Sequence, residues 1–398
     1  MEYAHNQTTI TDHNGNIQIL QFNDFGNTVS VQDGQGRAQY AQYALNTGND
    51  IDSNTDATKK GNQMTVSSKL QNTVGNMLSD SSFELGGTWS AINTSVSRAS
   101  STAYAYHSQN QLIREDNQAG NFTHTWTYDN AGNILSRSKY AYTTGTLGAV
   151  QDTVTYGYST DAWGDLLTSY DGTTISCDTI GNMLSDGTWS YTWERGRELQ
   201  SMSNGSTTWT YTYDANGMRT KRTNGSTAYS YIYIGGQLTC MTVGSNTLYF
   251  CYDASGTPLA LTYNGSAYYY VTNLQGDVAA ILNTSGTAVV EYTYDAWGNP
   301  LSTTGTLAST LGVHNPLRYR GYVYDPETGL YYLQSRYYNP ELGGFINADA
   351  FTSTGQGLLG NNMFAYCLNN PVCYIDTCGM VFWVRCLCIC RGICYGIF

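Results

Sequence analysis

Charge is what this chain has least of. Only 12% of its 398 residues are Asp, Glu, Lys or Arg, about half the share usual in a globular domain. That excludes a coiled coil laced with ion pairs and a polyampholyte tail. Proline is scarce too, at 6 residues, while Gly stands at 42 among abundant Thr, Ser and Asn, a mix that favours strands broken by tight turns and rules out a helical bundle. Basic residues number 18 against 30 acidic, for a net charge of −12. No basic stripe exists to neutralise phosphates, so nucleic acid is not an expected partner. The N-terminus "MEYAHNQTTITDHNG" lacks the positive and apolar regions of a secretory signal, so export by another route, or an unnatural start, is expected.

Metal and cofactor frameworks are also missing. Cys177, Cys240 and Cys251 are scattered, while Cys367, Cys373, Cys378, Cys386, Cys388, Cys390 and Cys394 crowd the end, where "CLCIC" alternates thiols with apolar residues and matches no zinc spacing. His107, His124 and His314 stand isolated, without HExxH or a nearby nucleophile pattern, and are expected on the surface or on strands. No phosphate-binding glycine loop occurs, so neither cofactor nor metal is expected.

What is present is tyrosine, 35 residues of it, set in an internal repeat. The unit recurs as "WTYDNAGNIL" at 126–135, "YSTDAWGDLL" at 158–167, "YTYDANGMRT" at 211–220, "YDASGTPLA" at 252–260 and "YTYDAWGNPL" at 292–301, with weaker copies at 22–29, 73–78 and 178–184. Its glycines recur at rough multiples of about 20 residues, a spacing in which some copies have eroded. Tyr-Asp-x-x-Gly reads as a hairpin corner. The Asp bonds its own backbone two residues on, and the Gly takes the left-handed conformation that closes a type I turn with a bulge. Asp129 with Gly132, Asp214 with Gly217, Asp253 with Gly256 and Asp295 with Gly298 are therefore turn residues. In "YDPETG" Asp325 and Gly329 are likewise assigned to a turn, with Pro326 presetting the backbone. Flanking segments alternate with period two, so Tyr229, Tyr231 and Tyr233 share one face, and Ser230 and Ile232 the other. With neither face richly aliphatic, the pattern suits one long, winding, single-layered sheet around a wide interior. It should run as a continuous ribbon over residues 120–345.

These residues resemble the Rhs/YD-repeat family from about residue 70 to 380. The most specific stretch is "NLQGDVAAILNTSGTAVVEYTYDAWGNPLSTTG" followed by "NPLRYRGYVYDPETGLYYLQSRYYNPELGGFINADAF", which is similar to the Rhs repeat-associated core domain. The resemblance implies an all-β spiralling hairpin sheet, a partial shell around a C-terminal toxin, in a secreted or cell-surface bacterial protein. It divides the chain into degenerate repeats or an irregular segment (1–70, with one short helix near "AQYAQYAL"), a hairpin array (71–266), the core domain (267–350), a plug (351–380) and a Cys-rich apolar tail (381–398). Upstream shell or secretion components are further partners.

The plug resembles a self-cleaving aspartic protease, the one enzymatic activity expected. Residue by residue, the match places its Arg at Arg336, its carboxylates at Asp349 and Asp376, and the scissile bond between Met380 and Val381. Such chemistry needs one carboxyl that keeps a proton while another, ionised, activates water, with an Arg to hold the charged form. The family's Asp-Pro-x-Gly appears here as "DTCG", and Ala350 follows Asp349 where many members have Pro, so the turn that presents the bond should be looser. The bland alternative makes both aspartates turn caps. Only 18 residues follow Met380. They are too few for a toxin domain, are interrupted by Arg385 and Arg391, and fall short of a membrane span, so a truncated or frame-shifted end is expected. The rival class is a non-enzymatic surface protein whose tyrosine faces contact glycans or neighbouring cells.

Overall fold

The structure is a computed structural model. It describes residues 102–161, 163–350 and 359–380 in full and, outside these, only the backbone of short strands. Ala38–Ala41, where a helix was expected, is a strand. The chain divides into two compact units, one holding residues 1–123, 141–147 and 386–398 and the other 124–140 and 148–385. In the first, Thr102–Tyr106 pairs antiparallel with Leu112–Asn117. Everything below concerns the second.

That unit is built from antiparallel hairpins in chain order. Ile134–Ala141, Val150–Tyr158, Leu167–Tyr170 and Thr173–Thr174 pair successively. A new sheet then starts at Ser176–Cys177 and runs through fourteen strands to Pro300–Thr304, each bonded to its neighbours in sequence. The hairpin array is therefore as expected, but the continuous ribbon is not. It breaks at Ile175, whose side chain turns into the core, and a separate four-stranded sheet holds Val323–Asp325, Leu330–Tyr332, Tyr337–Asn339 and Gly344–Phe345.

The corners follow the expected chemistry. Asp129 Oδ1 accepts from the N–H groups of Ala131 (2.9 Å) and Asn133 (2.8 Å). Asp214 and Asp253 do the same for residues two and four further on, and so does Asp295. The register then slips by one residue on the strand side, the expected bulge. At Gly298 (φ 92°) a Cβ would sit 2.6 Å from the Tyr319 ring, so both backbone and space demand glycine. The repeat's tyrosine has a role too. The hydroxyls of Tyr213, Tyr252 and Tyr294 donate to the carbonyls of Leu199, Leu238 and Val278, tying each corner to the strand of the preceding hairpin.

The eroded copies prove to be recoded corners. On the same sheet edge Asn273 replaces Asp and accepts from Gln275 and Asp277 N–H, while Gly235 and Gly236, both at positive φ, form a two-residue turn. The opposite edge has its own device, missed in the sequence although "NGST" repeats there: Asn204 accepts from Ser206 and Thr207, and Asn224 from Ser226 and Thr227.

The wide interior is filled in this unit. Tyr229 and Tyr231 are buried while Ser230 and Ile232 face out. With Tyr191, Met202, Trp209, Tyr211, Met241 and Leu248 they pack against Leu317, Val323, Leu330, Tyr332 and Tyr337. A face of large rings cannot be left wet, and the segment after the array folds back to cover it. His314, expected on the surface or a strand, ends a short helix (Leu311–His314) and meets the Tyr263 hydroxyl at 2.9 Å.

The cover is fastened by charge. The backbone of Asp325 makes the expected turn with Gly329, but its side chain, fully buried, pairs with Arg219 (2.5 Å) and Arg222 (3.2 Å) from the array. Arg222 also binds Glu327 (2.6 Å). The Arg219 guanidinium lies over the rings of Tyr332 and Tyr231 at 4.5 and 4.9 Å. Removing this fully buried anion leaves two buried cations underpaired. Asp325→Asn should therefore cost about 3–5 kcal/mol of stability, read as a lowered denaturant midpoint, whereas Asp253→Asn at an exposed corner should cost under about 1 kcal/mol.

Candidate active site

Arg336 immediately precedes the strand Tyr337–Asn339, which pairs between Leu330–Tyr332 and Gly344–Phe345. Asp376 ends the strand Tyr374–Asp376. These two elements and the loop at 346–349 bring the three sequence-chosen residues together: Arg336 Nη2 lies 3.0 Å from Asp349 Oδ2 and 3.3 Å from Asp376 Oδ2. The two carboxylates are thus separated by no more than two hydrogen-bond lengths across one nitrogen. All three side chains are buried, between 2% and 5% exposed as residues, so what they do to one another is screened little by water.

The rest of the guanidinium is equally occupied. Nη1 donates to the Met363 carbonyl (3.1 Å) and Nε to that of Gly379, and the group stacks over Phe345 at 3.5 Å. The Met363 carbonyl also accepts from the Asp349 N–H (3.0 Å), so one peptide group aligns the Arg with the first carboxylate. Asp165, which sequence reasoning passed over, accepts from the Met363 N–H at 3.3 Å. It belongs to the "WGDLL" copy of the repeat, where an Asp after the corner glycine was the available signal.

The turn after Asp376 is held without proline. Asp376 Oδ1 accepts from the N–H groups of Cys378 (3.2 Å) and Gly379 (2.7 Å), and Ser335 Oγ donates to the Cys378 carbonyl (2.7 Å). These bonds supply the constraint that the missing proline was expected to remove. Gly379, at φ 77°, is pressed against Ser335, Leu333 and Arg336 so closely that a Cβ would meet three atoms at 3.0 Å or less. The capping role thus coexists with the contact to Arg336 through the other oxygen. Met380 is half-buried. Val381, the tail beyond Val384 and the loop glycines Gly355 and Gly357 lie outside the described residues.

Burial pushes the Asp376 carboxyl above the usual carboxylate range, against the pull of Arg336 and the two N–H groups, and the neighbouring Asp349 pushes in the same direction. Burial also lowers Arg336 from the usual guanidinium value. Two carboxyls that share one guanidinium nitrogen, one of them with its pKa raised, have the makings of an acid–base pair.

Comparison with known proteins bears on the family and the fold. Residues 242–372 match the Teneurin YD-shell family model. The tRNA3(Ser)-specific nuclease WapA of Bacillus spizizenii is 36% identical over 308 residues, 70% of this chain and 12% of that protein. The chain belongs to the Rhs/YD-repeat family. The tRNA nuclease WapA of Bacillus subtilis is 46% identical over 112 residues, 28% of this chain and 5% of that one. This family member therefore spans about an eighth or less of the length of these curated relatives. Among solved structures, TcdB2-TccC3 superposes with a TM-score of 0.53 at 17% identity, over 92% of this chain and 22% of that one. The Photorhabdus luminescens Tc holotoxin pore gives a TM-score of 0.51 at 17% identity, over 94% and 20%. Both share the fold of the family.

The raised pKa of Asp376 has a definite sign for stability. A carboxyl whose folded pKa lies above its unfolded value contributes stability that is full below the unfolded pKa and lost as pH rises through the folded one. Asp376→Asn should therefore be more harmful in acid than at neutrality, as measured by its denaturant midpoint relative to wild type across that range. A penalty that grows with pH would contradict the assignment.

Proposed function

We propose that the chain is the C-terminal part of an Rhs-type shell, bounded as the sequence suggested (array 71–266, core 267–350, plug 351–380, tail 381–398), and that it cuts itself after Met380. The shell would enclose and present a downstream effector in a secreted or cell-surface protein, with upstream shell or secretion components as its other partners. The observation that carries the cleavage is the single guanidinium nitrogen of Arg336 within 3.3 Å of both Asp349 and Asp376, beside the turn that leads to Met380.

In this reading ionised Asp349 takes a proton from water as the water oxygen attacks the Met380 carbonyl carbon, and Asp376 gives its proton to the carbonyl oxygen. Collapse breaks the C–N bond as Asp349 gives the proton it took from water to the Val381 nitrogen, and Asp376 takes one back from a diol hydroxyl. Met380 is left with a carboxyl and Val381 with an amine, and both aspartates return to their starting forms. Arg336 sets the spacing of the two carboxyls. The upward shift of Asp376 moves it toward the protonated form that the acid role needs.

The rival reading, adhesion through stacked tyrosines, has less to stand on. Tyr191, Tyr211, Tyr229, Tyr231 and Tyr292 point into the core, although Tyr249 and Tyr269 are half exposed.

Intact-mass spectrometry of the purified chain tests the proposal. A species ending at Met380 is expected from wild type. Asp376→Asn and Asp349→Asn should each slow its appearance by about a hundredfold or more, the usual scale of acid–base assistance. Persistence of the full mass in wild type, or undiminished cutting in either variant, removes the protease assignment.

A further inference from the structure

The segment around the proposed scissile bond is gripped in a particular way. On its upstream side the N–H groups of Cys378 and Gly379 donate to Asp376 Oδ1. The carbonyl of Cys378 accepts from the Ser335 N–H (3.2 Å) and hydroxyl, and the carbonyl of Gly379 accepts from Arg336 Nε. Every one of these groups on the gripped segment is main chain. On the downstream side Phe382–Val384 pairs antiparallel with the aspartate's own strand, in the register Tyr374 to Val384, Ile375 to Trp383 and Asp376 to Phe382. The segment is thus fixed on both sides of the bond that follows Met380, at 378–379 and at Phe382–Val384, by backbone bonds to the strand and turn that carry the second carboxylate.

We propose that the site recognises the backbone of its substrate and not its side chains: the strand Tyr374–Asp376 serves as the docking edge onto which the first residues beyond the scissile bond add as a β-strand. Strand addition of this kind takes its affinity from main-chain hydrogen bonds. Any downstream sequence able to lie extended would then be presented for cleavage. The one strict side-chain requirement is upstream, at Gly379, where a Cβ has no room. The inference rests on the self-cleavage reading and deepens it by naming what the site reads.

Proline distinguishes backbone from side-chain reading because it removes an N–H while leaving extended geometry accessible. In an antiparallel ladder neighbouring residues alternate in pointing their N–H across the pair. Replacing both Trp383 and Val384 by Pro thus deletes a ladder donor whichever of them donates. The experiment follows self-cleavage of the full chain by intact mass in four variants: Trp383→Pro with Val384→Pro, Trp383→Ala with Val384→Ala, Leu387→Pro with Ile389→Pro, and Asp376→Asn. The proline pair at 383 and 384 should slow cleavage at least about tenfold, the effect of losing one to two net backbone bonds. The alanine pair, which keeps both N–H groups, should cost less than about threefold, and the proline pair beyond the strand should leave the rate as it was.

An alanine pair as slow as the proline pair would overturn backbone recognition and point to side-chain pockets, while leaving self-cleavage intact. A proline pair at 383 and 384 that cleaves at the wild-type rate would overturn the docking strand. Absence of cleavage in wild type would instead sink the protease reading beneath it. Unchanged unfolding midpoints across the variants would exclude misfolding as the cause of a slow rate.

Discussion

Two arginine side chains taken wholly out of water hold this molecule's interior together. Arg219 and Arg222 come from the array, Asp325 from the segment that folds back over it, and the tyrosine rings around them shut out solvent. A buried ion pair is weak grounds for added stability, since desolvation consumes most of the Coulombic gain. As a register device it is effective, because any other seating of the cover would strand these charges. The scarcity of charge in the sequence gives the few buried ions their weight.

From that fixed point the site follows by short steps. Asp325 sits at the head of the turn joining Val323–Asp325 to Leu330–Tyr332, the next strand over begins just after Arg336, and Ser335 beside it holds the Cys378 carbonyl. The Tyr322 hydroxyl, close to the same strand, accepts the Asp376 N–H at 3.0 Å. The aspartates themselves lie on loops and a three-residue strand with little regular structure of their own. Their geometry is borrowed from the four-stranded sheet, and that sheet's position is borrowed from the array.

The sequence carried the local rules well and the long-range ones poorly. Asp at the first and Gly at the fourth position of each corner were legible because turn chemistry is decided within five residues. That Tyr229 and Tyr231 share one face was legible from alternation alone; which way it points was not. What covers those rings was not, because a single-layered sheet and a packed one leave the same period-two signature. The roles of Arg219 and Arg222 were hidden in "MRTKRT", where nothing local says that an arginine will meet a carboxylate more than a hundred residues away. The break at Ile175 had no sequence mark either. Arg336, Asp349 and Asp376 were found by family likeness, and their meeting at one nitrogen could not have been derived from spacings of 13 and 27 residues.

The central physical claim is that the site exists because the cover is seated on the array. Hydrogen exchange on Asp325→Ala tests it most directly, with amide protection read by peptide. The account expects protection to fall both in 323–332, where the charge is removed, and in the distant turn at 376–379, while the corners at 214–217 and 253–256 keep theirs. Loss confined to 323–332, with 376–379 as protected as in wild type, would contradict it.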